Sequence, residues 1–143
     1  MDITKLNGLE LLTEMMEGHL PQPSISDVIP MRGVEVKSGY VRFWTKADQR
    51  HLNPMGGVHG GFASTVLDSV TGCAVHTLLE AGVGLGTLDL NIKMLKAVPL
   101  EKDLTAEGSV IFMSKKIGVA ECVLKDSYGN LYAHATATCM IHR

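Results

Sequence analysis

Several features are missing from this sequence, and each absence narrows its chemistry. Lys and Arg together number 13 against 15 Asp and Glu, so no basic field proposes nucleic acid as a partner. No run of about 18 apolar residues offers a membrane span. The three cysteines, Cys73, Cys122 and Cys139, are an odd number without a CxxC pair, each inside an apolar stretch. That pattern favours reduced core thiols over disulfides or a zinc site. Neither HExxH nor GxSxG occurs, which argues against a zincin and an α/β-type serine hydrolase. The first residues, MDITKLNGLELLTEMMEGHL, carry acids among their leucines instead of a basic segment and an apolar core. The expectation is a cytoplasmic protein with no leader, and 143 residues fit a single domain, 1–143.

What is present is an orderly succession of elements. Thr4 can cap a helix whose Leu9, Leu12 and Met16 follow helical spacing, and Gly18 and Pro21 end it. After the connector LPQPSISDVIP, MRGVEVKSGYVRFWTKA predicts a hairpin around Lys37-Ser38-Gly39. From Gly60 to about Ala81 the residues are apolar or small on nearly every face, the signature of a helix buried all round. Gly61, Ala63, Ser64, Gly72 and Ala74 would let backbones approach it closely. The glycine-rich GVGLGT follows a helix and precedes a strand, the reverse of a phosphate loop, and reads as a flexible turn. In TLDLNIKMLKAV, Leu88, Leu90, Ile92 and Met94 alternate with Thr87, Asp89, Asn91 and Lys93. LTAEGSVIFM, IGVAECVLKD and LYAHATATCMIH follow as strands, the last placing Ala133, Ala135, Ala137 and Cys139 on one face. The simplest packing is an α+β fold: one long helix wrapped by an antiparallel sheet, with a short N-terminal helix.

The chemistry concentrates in HLNPMGGVHGGFASTVLDS, from His51 to Ser69. Gly56, Gly57, Gly60 and Gly61 bracket His59 where a loop becomes the core helix. Orphan N–H groups and the positive end of the helix dipole suit that point to a carbonyl oxygen gaining negative charge. The alternative is that the glycines only permit a tight helix entry. Asp68 lies among apolar residues, where a carboxylate without partners is costly, and it can serve as nucleophile or general base. It could also simply bond a neighbouring hydroxyl. Eight helical residues separate Gly60 from Asp68, about 12 Å, too far for both to address one carbonyl within a chain. Two copies with antiparallel core helices would join them, so a catalytic pair requires at least a dimer.

The pattern Asn53, Gly57, His59-Gly60-Gly61 and Asp68, followed by TLDLNIKML, resembles hotdog-fold acyl-CoA thioesterases of the phenylacetate-pathway type, in the 4-hydroxybenzoyl-CoA thioesterase superfamily. The likeness runs from about Arg32 to His142. It implies that the Gly60 N–H polarises a thioester carbonyl, that Asp68 attacks it or activates water, and that Asn53 and His59 orient carbonyl or water. It also places Gly61 at the substrate and a hydroxyl, Thr87, near the acid. Strand alternation puts Thr87 on the face opposite Leu88 and Leu90, and a bulge at the strand start would reconcile the two. Lys93, Lys96, Lys115 and Lys116 are candidates for the coenzyme A phosphates, or a solvated surface. Met15, Met16, Met55 and Met94 would line an acyl pocket or fill core gaps.

The implied enzyme hydrolyses an acyl or aryl thioester as a homodimer or homotetramer, with coenzyme A only as part of the substrate and with no cofactor or metal. A hotdog hydratase or dehydratase is the second enzyme class, and there the family pattern carries an acid where this sequence has Gly61. A non-catalytic acyl-CoA binder is the third reading.

Overall fold

Asn7, and not Thr4, starts the first helix. In the computed structural model, which describes residues 1–143, Thr4 sits in a 3-10 turn capped by Asp2. The α-helix α1 (Gly8–Met16) begins with a reciprocal capping box between Asn7 and Glu10, which satisfies two backbone donors that a helix start otherwise leaves orphaned. A hairpin of β1 (Met31–Lys37) and β2 (Tyr40–Thr45) follows, and Gly39 takes the positive φ of 76° that its turn needs. The long helix α2 (Gly60–His76) comes next, then β3 (Gly84–Met94), β4 (Leu104–Met113), β5 (Ile117–Lys125) and β6 (Leu131–His142).

The six strands form one antiparallel sheet in the order β1-β2-β4-β5-β6-β3. One face of the sheet closes around α2, whose Val66, Leu67 and Val70 are fully buried against Ala106, Ala120 and Ala135. The alanine face of β6 lies inward as its spacing implied. The close approach of helix to sheet rests largely on glycines of the sheet. A Cβ at Gly108 would stand 2.7 Å from Val70, and one at Gly118 would stand 2.7 Å from Val75. Of the small helix residues, Ala63 and Ala74 are buried, whereas Gly61, Ser64 and Gly72 lie on a half-open side.

Three further expectations give way. The core helix ends at His76 instead of near Ala81, because Thr77 takes over the last carbonyls through its own N–H and hydroxyl. Only the beginning of GVGLGT is a turn, with Gly82 at a positive φ of 79°: Gly84 to Thr87 already pair with His142 to Cys139 as the start of β3. Nor is α2 buried all round, since Gly61, Ser64, Thr65, Asp68, Ser69, Gly72 and His76 are only half-buried. That stripe is where the site lies.

Candidate active site

The β3–β6 register slips between Thr87 and Asp89, so Leu88 has no partner on β6. A bulge of one residue reverses which face the following side chains occupy. Leu85 and Thr87 therefore face α2, and beyond the bulge Leu90 and Ile92 do so, whereas Leu88 is 59% exposed. The expected run from Leu88 through Met94 along one face is corrected accordingly, and Met94 is exposed too. The same bulge delivers the Thr87 hydroxyl to Asp68, where Oγ1 donates to Oδ1 at 2.8 Å.

Asp68 and Thr87 stand at the side of a cavity of about 320 Å³ between α1, α2 and the sheet. From α1 it takes Leu12, Met15 and Met16, and from the sheet Val41, Phe43 and Leu85. The stripe of α2 completes it with Gly72, Cys73 and His76. Burial, and then the charge of Asp68, push the Cys73 thiol up to about 12. It is not a thiolate at neutral pH and is not a ready nucleophile.

Gly60, His59 and Asn53 gather at the other end of α2. The Gly61 N–H donates to His59 Nδ1 at 2.7 Å, making His59 the helix N-cap and leaving Nε2 as the ring atom free to meet a ligand. Gly61 is thus committed to its cap, and the Gly60 N–H has no acceptor within the chain. Asn53 Oδ1 accepts from Met55 N at 2.9 Å and Gly57 N at 3.2 Å, and the Asn53 N–H bonds the Gly57 carbonyl at 2.7 Å. These bonds tie up the loop that leads into the helix and leave the Nδ2 amide hydrogens for other partners. A second groove of about 300 Å³ opens here, flanked by Val58, Gly60, Ala63, Met94 and Lys96.

Within one chain, then, the expected site residues fall into two groups. Asp68 and Thr87 adjoin the apolar cavity, while Asn53, His59, Gly60 and Lys96 cluster one helix span away, about 12 Å by helical rise. Lys96 Nζ also donates to Asn130 Oδ1 at 3.3 Å. Lys93 is exposed on β3 opposite His134. Lys115 and Lys116 occupy the β4–β5 turn beside Arg143, whose Nε donates to the Lys115 carbonyl at 3.2 Å, away from both groups. Met15 and Met16 line the cavity and Met94 the groove, but Met55 is 96% exposed and lines neither. His76, Cys73 and Gln22 were not singled out for this pocket from the sequence. The spacing of His76 eight residues after Asp68, on the same helix face, was the available signal.

No helix is long and apolar enough to cross a membrane. Comparison with known proteins agrees with the architecture. The thioesterase superfamily pattern matches residues 55–133. The candidate esterase VNG_1336C of Halobacterium salinarum is 41% identical over 68 residues, 46% of this chain and 44% of that protein, so the match spans less than half of that relative. The candidate esterase SSO1253 of Saccharolobus solfataricus is 30% identical over 125 residues, 87% of this chain and 81% of that protein. A phenylacetic acid degradation-related protein from Ralstonia eutropha JMP134 superposes with a TM-score of 0.78 at 30% identity, covering 90% of this chain and 98% of that one. A hypothetical thioesterase from Streptococcus pneumoniae TIGR4, solved with coenzyme A, superposes with a TM-score of 0.71 at 28% identity, covering 78% and 84%. With its six-stranded antiparallel sheet around one long helix, the chain has the hotdog fold and belongs to the thioesterase superfamily.

Proposed function

We propose that the protein is an acyl-CoA thioesterase whose active site is completed by a second copy of the chain. The observation that carries this reading is the Thr87–Asp68 hydrogen bond beside an apolar cavity, a carboxylate oriented where an acyl group can be held. The coenzyme A in the pneumococcal relative supports the carrier.

Gly60 supplies the missing electrophilic half. Its N–H is unpaired at the positive end of a 17-residue helix, the place where developing negative charge on a carbonyl oxygen is stabilised. In an antiparallel pair of α2 helices the residue midway between Gly60 and Asp68 is Ser64, on the half-open stripe. A twofold axis near Ser64 sets Gly60 of one protomer against Asp68 of its partner, and two sites result. The unpaired outer edge of β3, 11 residues long, supports pairing of copies, because a long open strand edge is a template for another strand.

In the mechanism, the partner's loop holds the thioester carbonyl on the Gly60 N–H, with His59 Nε2 and Asn53 Nδ2 within the same loop system. Asp68, held by Thr87, either adds to the carbonyl carbon to give an acyl-enzyme anhydride or takes a proton from the water that adds. Collapse of the tetrahedral intermediate breaks the C–S bond and expels the thiolate of coenzyme A. In the anhydride route a water then releases the acid and restores Asp68.

The test is thiol release from a panel of acyl-CoA substrates by the wild type and Asp68→Asn. The amide keeps the shape of the side chain but cannot serve as nucleophile or base, so turnover is expected to fall about a hundredfold or more. Near-normal hydrolysis by folded Asp68→Asn would overturn the assignment of Asp68. Tight acyl-CoA binding without thiol release would favour a binding protein.

A further inference from the structure

Asp68 and His76 lie on one face of α2, two turns apart, about 12 Å along the axis. Both line the same cavity. At the His76 end of α2 the start of α1 packs closely: a Cβ on Gly8 would sit 1.7 Å from the His76 carbonyl oxygen and 2.8 Å from Cδ2 of its ring. The Gly8 N–H also donates to the Leu79 carbonyl at 2.9 Å. The start of α1 is thus seated on the end of α2, and Leu12, Met15 and Met16 of α1 roof the space between.

The walls near His76 are mostly apolar. Gln22 lines the cavity as well, but its Nε2 is spent on the Met15 carbonyl at 2.8 Å. The His76 ring is different. No side chain or backbone group of the protein is bonded to it, and no polar side-chain atom is sealed off without a partner, so its nitrogens remain open to a ligand. Burial pushes the imidazole below its ordinary value. At neutral pH it is therefore uncharged, with one nitrogen donating and the other accepting.

Resting on the thioesterase reading above, we infer that this cavity receives the acyl group and that His76 selects acyl groups bearing a hydroxyl at the end remote from the thioester. The size follows from the volume: at about 30 Å³ for each water-sized group, 320 Å³ holds about ten non-hydrogen atoms. An ω-hydroxyoctanoyl group has that size. A fully apolar chain of equal length would fill the space but cover the imidazole without pairing it, and a site built to hydrogen-bond discriminates against such analogues.

Binding of uncleavable thioethers tests this without relying on catalysis. Calorimetric titration of wild-type protein with S-(8-hydroxyoctyl)-CoA and S-octyl-CoA is expected to show about tenfold tighter binding of the hydroxylated compound. The preference should vanish in His76→Phe and survive in His76→Gln, which keeps a donor and an acceptor. S-hexadecyl-CoA should bind no tighter than the octyl compound, since the volume of the cavity limits the chain it can take. Equal affinity of the two octyl compounds for the wild type, or an undiminished preference in folded His76→Phe, would overturn the role of His76. Affinity rising steadily to the hexadecyl chain would overturn that length limit. Thiol release from the corresponding thioesters is read separately. Its absence alongside the expected binding pattern would count against hydrolysis and leave the selectivity standing.

Discussion

Thr87 donates to Asp68 across the helix–sheet boundary at 2.8 Å, and it does so only because Leu88 bulges out of the β3–β6 ladder. A hydrogen bond to a charged group is worth about 1.5–3 kcal/mol. If the bond orients Asp68 in the transition state, Thr87→Val should lower kcat about ten- to a hundredfold with little change in KM. Thr87→Ser should restore most of the loss. A fall confined to KM would mean that Thr87 serves binding alone.

The bulge also shows what could be read beforehand. Strand alternation alone sent Thr87 to the wrong face, and the family pattern put it beside the acid. The conflict between the two was the legible trace of an irregular strand. The ends of β4 and β6 and the hairpin were readable because turn residues and alternation agree there. The half-open stripe of α2 was hidden, since Gly61, Ser64 and Gly72 look alike whether a sheet or a cavity faces them. The cavity itself depends on where α1 docks, a long-range contact for which no local pattern exists. The start of α1 was misread because Thr4 and Asn7 both qualify as caps, and only Asn7 has Glu10 three residues on.

Gly8 is the hinge of that docking. Alanine favours helices over glycine, which alone would stabilise α1 by about 1 kcal/mol. The added methyl, however, meets backbone at His76, which cannot swing aside as a side-chain tip would. Gly8→Ala is therefore expected to be destabilising by about 1–3 kcal/mol in chemical denaturation. Unchanged or increased stability would show that α1 shifts without strain.

Asp126 provides a pH-dependent anchor far from the site. It is 3% exposed and accepts from Lys102 Nζ, Tyr132 Oη and Asn130 Nδ2, each at 2.8 Å, and from the backbone of Tyr128 and Asn130. These donors, the Lys102 ammonium first, hold its carboxyl well below the usual range. A depressed native pKa contributes stability in full above the unfolded value of about 4, and that stability is lost as pH falls toward the native value. Asp126→Asn should therefore lower the melting temperature at pH 6, and the gap to wild type should narrow as the pH is taken below 4. A gap independent of pH would place the effect in packing and not in charge.

The composite site yields the riskiest expectation. Asp68→Ala removes the acid from one half-site, and Asn53→Ala removes the oxygen that holds Met55 and Gly57 in the loop before Gly60. If each active site draws Asp68 from one chain and the loop from its partner, a mixed dimer has one site with both lesions and one with neither. After joint unfolding and refolding, random pairing makes about half the dimers mixed, so about a quarter of wild-type sites should return. The readout is thiol release, with subunit exchange verified by mass, and it requires each parent to be strongly impaired on its own. Recovery near a quarter would tie Asp68 to the opposing loop. Confirmed exchange with activity no higher than that of the parents would mean that Asp68 acts on a carbonyl held by its own chain, and the oxyanion donor would then have to lie within reach of the Thr87 end of the cavity and not at Gly60.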